Sequence, residues 1–93
     1  MMTYPEIYYA AGATDKGDAF LNTMLGNCID NLRYYYELEP KFMLYYTESI
    51  YENMSILDRM KNIATKYKRN ELKMQITKVL EEQNSKFYPY LSR

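Results

Sequence analysis

The stretch Lys41–Lys68, KFMLYYTESIYENMSILDRMKNIATKYK, decides the fold. Phe42, Met43, Tyr46, Ile50, Ile56, Leu57, Met60, Ile63, Ala64 and Tyr67 recur in it at spacings of three, four and seven. That period gathers them along one side of an α-helix. Written as heptads, Met43, Ile50, Leu57 and Ala64 share one seam position, and Tyr46, Asn53, Met60 and Tyr67 share the other. Phe42, Ile56 and Ile63 widen the seam into the broad apolar face of a bundle helix. At a rise of about 1.5 Å per residue, such a helix is a rod of roughly 40 Å. An apolar face of that width needs partners from the rest of the chain, from a second copy, or from both.

The flanking sequence supplies them. Upstream, Leu21, Met24, Leu25, Cys28, Leu32, Tyr35 and Tyr36 step by three and four, which predicts a helix over 15–38 with Thr14 or Asp15 as its cap and Asp18 in its first turn. Gly26 inside it costs about 1 kcal/mol relative to alanine. Pro40 ends that helix, because the residue before a proline disfavours the α region, and opens the long helix over 40–68. A connection as short as Leu38-Glu39 sets the two helices antiparallel. Downstream, the period breaks around Lys66–Asn70. Asn70 is placed to cap a last helix over 71–85, with Leu72, Ile76, Val79, Leu80 and Gln83 inward. The competing reading runs 40–68 straight on, leaving a two-helix hairpin that dimerises into a four-helix bundle.

At the N-terminus, Thr3-Tyr4-Pro5-Glu6 has the form of a capping box before a short helix over 4–11, stopped by Gly12. Too short to stand alone, it lies on the body through Tyr8 or Tyr9, or orders on a partner. An aromatic tail, 86–93, is expected to leave the last helix at Pro89 and to pack back or serve as a docking peptide. The fold class is therefore all-α: a long antiparallel helical hairpin closed by a third helix, with a short N-terminal helix, in a single domain spanning 1–93.

Composition narrows the chemistry. The 93 residues include twelve Tyr and seven Met, a single Cys and no His or Trp. Without histidine, the Glu-x-x-His pattern of di-iron bundles cannot occur and the usual base for a nucleophilic cysteine is missing. Cys28, on an apolar stripe, reads as a buried small hydrophobe. Gly12, Gly17 and Gly26 are too scattered for a phosphate-cradling loop, and Glu48 with Glu52 reads as a solvated acidic face. The expectation is a chain with no enzyme activity, catalytic residue, metal or cofactor, in a reducing, cytoplasmic setting, without a membrane span.

The tyrosines are more numerous than a monomeric three-helix core can use. Tyr34, Tyr45 and Tyr51, with Leu44 and Met54, fall off the main stripes. Large adaptable side chains of this kind are typical of contact surfaces. They predict a protein–protein interaction module (adaptor, inhibitor or regulator) that binds through Tyr34, Tyr45, Tyr51 and Met54 and forms a homodimer. The Tyr-x-x-Met run at 51–54 has the form of a phosphotyrosine docking sequence, but its place inside the firmest helix argues against that use.

Net charge is zero, yet residues 1–58 carry −6 and residues 59–93 carry +6. Arg59, Lys61, Lys66, Tyr67, Lys68, Arg69 and Lys73 therefore form the alternative site, a basic and aromatic cluster suited to a nucleic-acid-binding accessory protein. A pI near 6.2 and the helix C-terminus at that point, where cations are favoured anyway, weigh against it. Head-to-tail assembly of a structural subunit through the same polarity is the third reading.

Overall fold

The computed structural model describes residues 3–91, with side chains described for 3–89. It is a rod of 46 × 20 × 19 Å built from α1 (Tyr4–Ala10), α2 (Thr14–Glu37), α3 (Pro40–Met43), α4 (Thr47–Lys66) and α5 (Asn70–Leu91). A single 3-10 turn, Leu44–Tyr46, joins α3 to α4. Helices α2, α4 and α5 pack against one another in all three pairings, and α1 rests on α2. The chain is thus an all-α bundle closed by its third long helix, and the reading with one uninterrupted helix through residue 70 is ruled out.

The heptad seam is the core. Met43, Ile50, Leu57 and Ala64 are buried, as are Asn53, Met60 and Ile63, and they meet Leu21, Leu25, Cys28 and Leu32 of α2 and Leu72, Ile76 and Phe87 of α5. Asn53 is the polar member of the seam. Its amide donates to the Ser49 carbonyl at 2.8 Å and its oxygen accepts from Asn31 Nδ2 at 3.2 Å, linking α4 to α2 at one register.

Four expectations need correction. The long helix is not continuous over 40–68. The Thr47 hydroxyl donates to the Leu44 carbonyl at 2.8 Å, an acceptor the helix would otherwise offer to the Glu48 amide. The Tyr46 ring meanwhile stacks on Tyr35, at 5.2 Å between centroids. A 3-10 turn rotates the chain by about 120° per residue instead of 100°. That extra twist turns Phe42 out of the predicted face, and it is exposed together with Leu44.

Second, the last helix does not stop at 85 but continues past Pro89 to Leu91. The reason is Phe87, fully buried, its ring edge-on to Tyr36 at 5.7 Å. A proline inside a helix costs about 3 kcal/mol, and burying a phenylalanine is worth at least as much. The predicted tail is therefore largely helix, although Ser92 and Arg93 and the side chains of Tyr90 and Leu91 lie outside the described residues.

Third, neither Thr14 nor Asp15 caps α2, whose N-cap is Ala13. Likewise Thr3 makes no capping bond to the backbone; its hydroxyl donates to the Glu6 carboxylate at 3.2 Å. Fourth, α5 begins at Asn70 rather than after it, because the turn before it is closed by the backbone itself. Lys68, at φ 57°, occupies the left-handed position of a Schellman motif, with Arg69 N donating to Ala64 O (2.8 Å) and Lys68 N to Thr65 O (3.2 Å). Gly12, at φ 80°, fills the same position after α1, as the sequence predicts.

Candidate interaction surface

At the hairpin end of the rod, the C-terminus of α2 meets α3 and the 3-10 turn. Tyr34 packs edge-on against both Tyr35 (5.6 Å) and Tyr46 (6.3 Å), so the three rings form one aromatic cluster. Tyr34 is 57% exposed on its outer side, and Tyr45, next in the chain to Tyr46, is 83% exposed. Tyr51 is 52% exposed on the outer face of α4; at about 1.5 Å per residue it lies within roughly 8 Å of Tyr46 along the chain. Phe42 and Leu44 are exposed beside them. Most of the exposed large hydrophobic side chains thus lie toward this end of the rod, with Tyr4, Ile7 and Met74 exposed elsewhere.

Three of the four predicted partner-binding residues are thus on the surface. Met54 is not. At 9% exposure it belongs to the core. A helix flanked by one neighbour buries its seam alone, but α4 lies between α2 and α5 and buries its flanks too. Tyr36, predicted inside, is instead exposed on the aromatic end and stands against the Phe87 ring, while Tyr46 is half out. The signal for Phe42 and Tyr36 was not readable from periodicity, because the 3-10 turn and the docking of α5 decide both.

The opposite end carries the basic cluster, and there the chain answers its own charges. Arg69 grips Asp18 of α2 with two hydrogen bonds, Nε to Oδ1 at 2.9 Å and Nη2 to Oδ2 at 2.6 Å. The Tyr9 hydroxyl of α1 donates to Asp18 Oδ1 at 2.7 Å. The Tyr9 ring lies against Gly17 and stacks on Tyr67 at 5.1 Å between centroids. Lys66 pairs with Glu6 at 3.8 Å and sits over the Tyr67 ring. So Lys66, Tyr67 and Arg69, three members of the predicted nucleic-acid cluster, are held by groups of the acidic half. Of the rest, Arg59 and Lys68 are exposed, and Lys61 and Lys73 are half-buried. The sequence polarity is therefore spent partly on folding, with Glu6–Lys66 and Asp18–Arg69 both joining the two halves. A depression of about 330 Å³ beside this turn is lined by Asp18, Asn22, Lys68, Arg69, Asn70 and Glu71 among others, and two of its four charged groups, Asp18 and Arg69, are bonded to each other.

The staple titrates. The Arg69 guanidinium, aided by the Tyr9 hydroxyl, holds the Asp18 carboxyl below its ordinary value against the opposing effect of burial. Burial first, and donation to Asp18 second, push the Tyr9 hydroxyl above its ordinary range. A depressed Asp18 stabilises the fold above the ordinary carboxylate pKa of about 4, and that contribution is lost as pH falls through the folded-state value. A raised Tyr9 stabilises below about pH 10 and loses its contribution above it. Docking of α1 should therefore weaken at both extremes. Amide exchange of α1 measured against pH checks this: Asp18→Asn should flatten the acid limb and Tyr9→Phe the alkaline limb. Limbs that keep their wild-type shape in both variants would refute the assignment.

Among the described residues no helix is long and apolar enough to cross a membrane, and no group of three or more His, Cys, Asp or Glu is placed to hold a metal ion. What fold and surface define together is a small three-helix bundle with an aromatic end. Compared with protein-family models, curated proteins and solved structures, the chain matches none of them.

Proposed function

We propose that this chain is a non-enzymatic protein–protein interaction module, an adaptor, inhibitor or regulator, working through Tyr34, Tyr45 and Tyr51. One observation carries the reading: these rings face outward toward the hairpin end of a bundle whose core is already filled by aliphatic side chains, Tyr9 and Phe87. Rigid aromatic side chains give large contact area at low entropic cost, which suits them to the centre of an interface. A second copy of the chain is the first partner to test, and a reducing, cytoplasmic setting fits a chain whose only cysteine is buried.

Size-exclusion chromatography with light scattering, at low and high salt, reads the self-contact. Wild type is expected as a salt-resistant dimer, and the Tyr45→Ala/Tyr51→Ala double variant as a monomer with unchanged helix content. A double variant that keeps both its self-association and its contacts with other proteins would overturn the proposed surface.

A further inference from the structure

We infer that the aromatic end receives a cationic segment of a partner protein, with arginine preferred to lysine; this rests on the interaction reading above and names its partner chemistry. The rings do not stand in a neutral setting. Residues 30–52 hold five carboxylates, Asp30, Glu37, Glu39, Glu48 and Glu52, against the two cations Arg33 and Lys41. Glu48 and Glu52 lie with Tyr51 on the outer face of α4, all three exposed. One of the two cations is already engaged, since Lys41 pairs with Glu39 at 3.7 Å.

The rings of this end also hold cations within the chain itself. Lys41 Nζ lies 5.0 Å from the centre of the Phe42 ring, and Lys86 Nζ lies 5.2 Å from that of Tyr36. An aromatic face beside a carboxylate matches a guanidinium on two counts, because the planar group stacks on the ring while its edge donates in pairs to the carboxylate. An ammonium supplies only a point charge. A second copy could meet the rings but would leave the carboxylates beside them unanswered. Two such ends would oppose acid with acid, and in the basic end of another copy Lys66 and Arg69 are engaged by Glu6 and Asp18.

The test titrates the full-length chain into fluorescein-labelled oligo-arginine, oligo-lysine and oligo-glutamate peptides of equal length and follows anisotropy at two salt concentrations. Oligo-arginine should bind several-fold tighter than oligo-lysine, and oligo-glutamate should not bind. Tyr45→Ala/Tyr51→Ala and Glu48→Gln/Glu52→Gln should each weaken oligo-arginine binding about tenfold, equivalent to about 1.4 kcal/mol. Asp15→Asn/Glu71→Gln, at the other end of the rod, should leave it unchanged. Circular dichroism separates folding from binding; if the alanine pair loses helix, the glutamine pair decides alone. Equal affinity for both basic peptides, with the tyrosine pair irrelevant, would reduce the effect to bulk charge and overturn the inference. No binding of oligo-arginine, together with a tyrosine-dependent dimer, would overturn this inference and leave the interaction reading standing. No binding and no tyrosine-dependent association would sink both.

Discussion

Phe87→Ala is expected to lower unfolding stability by about 3–5 kcal/mol, the range for truncating a buried phenylalanine. The ring is fully buried, meets Tyr36 edge-on, and ties the far end of α5 to the C-terminus of α2. A domain of this size has only about 5–15 kcal/mol in total, so the variant stands to lose from about a fifth to nearly all of it. The loss should also be local at first: without Phe87 nothing offsets the proline two residues on, and α5 should fray from its C-terminal end. Urea unfolding gives the size of the effect, and the control is Met74→Ala on the same helix. Met74 is 72% exposed and should move stability by no more than about 0.5 kcal/mol. Equal losses at the two positions would mean that the end of α5 does not pack on the bundle.

Gly17→Ala is the second large effect, and its sign runs against helix propensity. In an open helical site, replacing glycine by alanine stabilises by roughly 0.5–1 kcal/mol. Gly26 is such a site, with nothing within 4 Å of the added carbon. At Gly17 the added carbon would come within 2.6 Å of the Tyr9 ring. That ring cannot swing aside freely, being stacked on Tyr67 and bonded through its hydroxyl to Asp18. Crowding of this kind costs about 1–3 kcal/mol. Gly26→Ala should therefore raise the unfolding midpoint and Gly17→Ala should lower it and release α1. In a Tyr9→Ala background the Gly17→Ala cost should vanish, because the two changes share one contact. If Gly17→Ala stabilises as Gly26→Ala does, α1 is not docked where the structure has it.

Much of this fold was legible because it is periodic. The seam through Met43, Ile50, Leu57 and Ala64 and the stripe through Leu21, Leu25, Cys28 and Leu32 are the core as read. Pro40 starts a helix and Gly12 ends one, each for a local steric reason. What escaped is what no local pattern encodes. Asp18 and Arg69 are 51 positions apart and meet only after the bundle closes. Lys68 takes a left-handed conformation that glycine would mark and lysine does not. Met54 looked spare because a heptad seam counts one neighbour, whereas α4 has two. Of the candidate surface, Tyr34, Tyr45 and Tyr51 could be read as outward by subtraction from the core. Phe42 and Tyr36 could not, since a 3-10 turn and the seat of Phe87 place them.

The central claim is that the outward tyrosines serve contact and not folding. Urea unfolding of Tyr45→Ser/Tyr51→Ser against wild type, at protein concentrations low enough to keep both monomeric, tests it most directly. The account expects midpoints that coincide to within about 0.5 kcal/mol per site, as for surface substitutions. A loss of about 3 kcal/mol or more, the size of a core truncation, would place the rings inside the folding unit and contradict it.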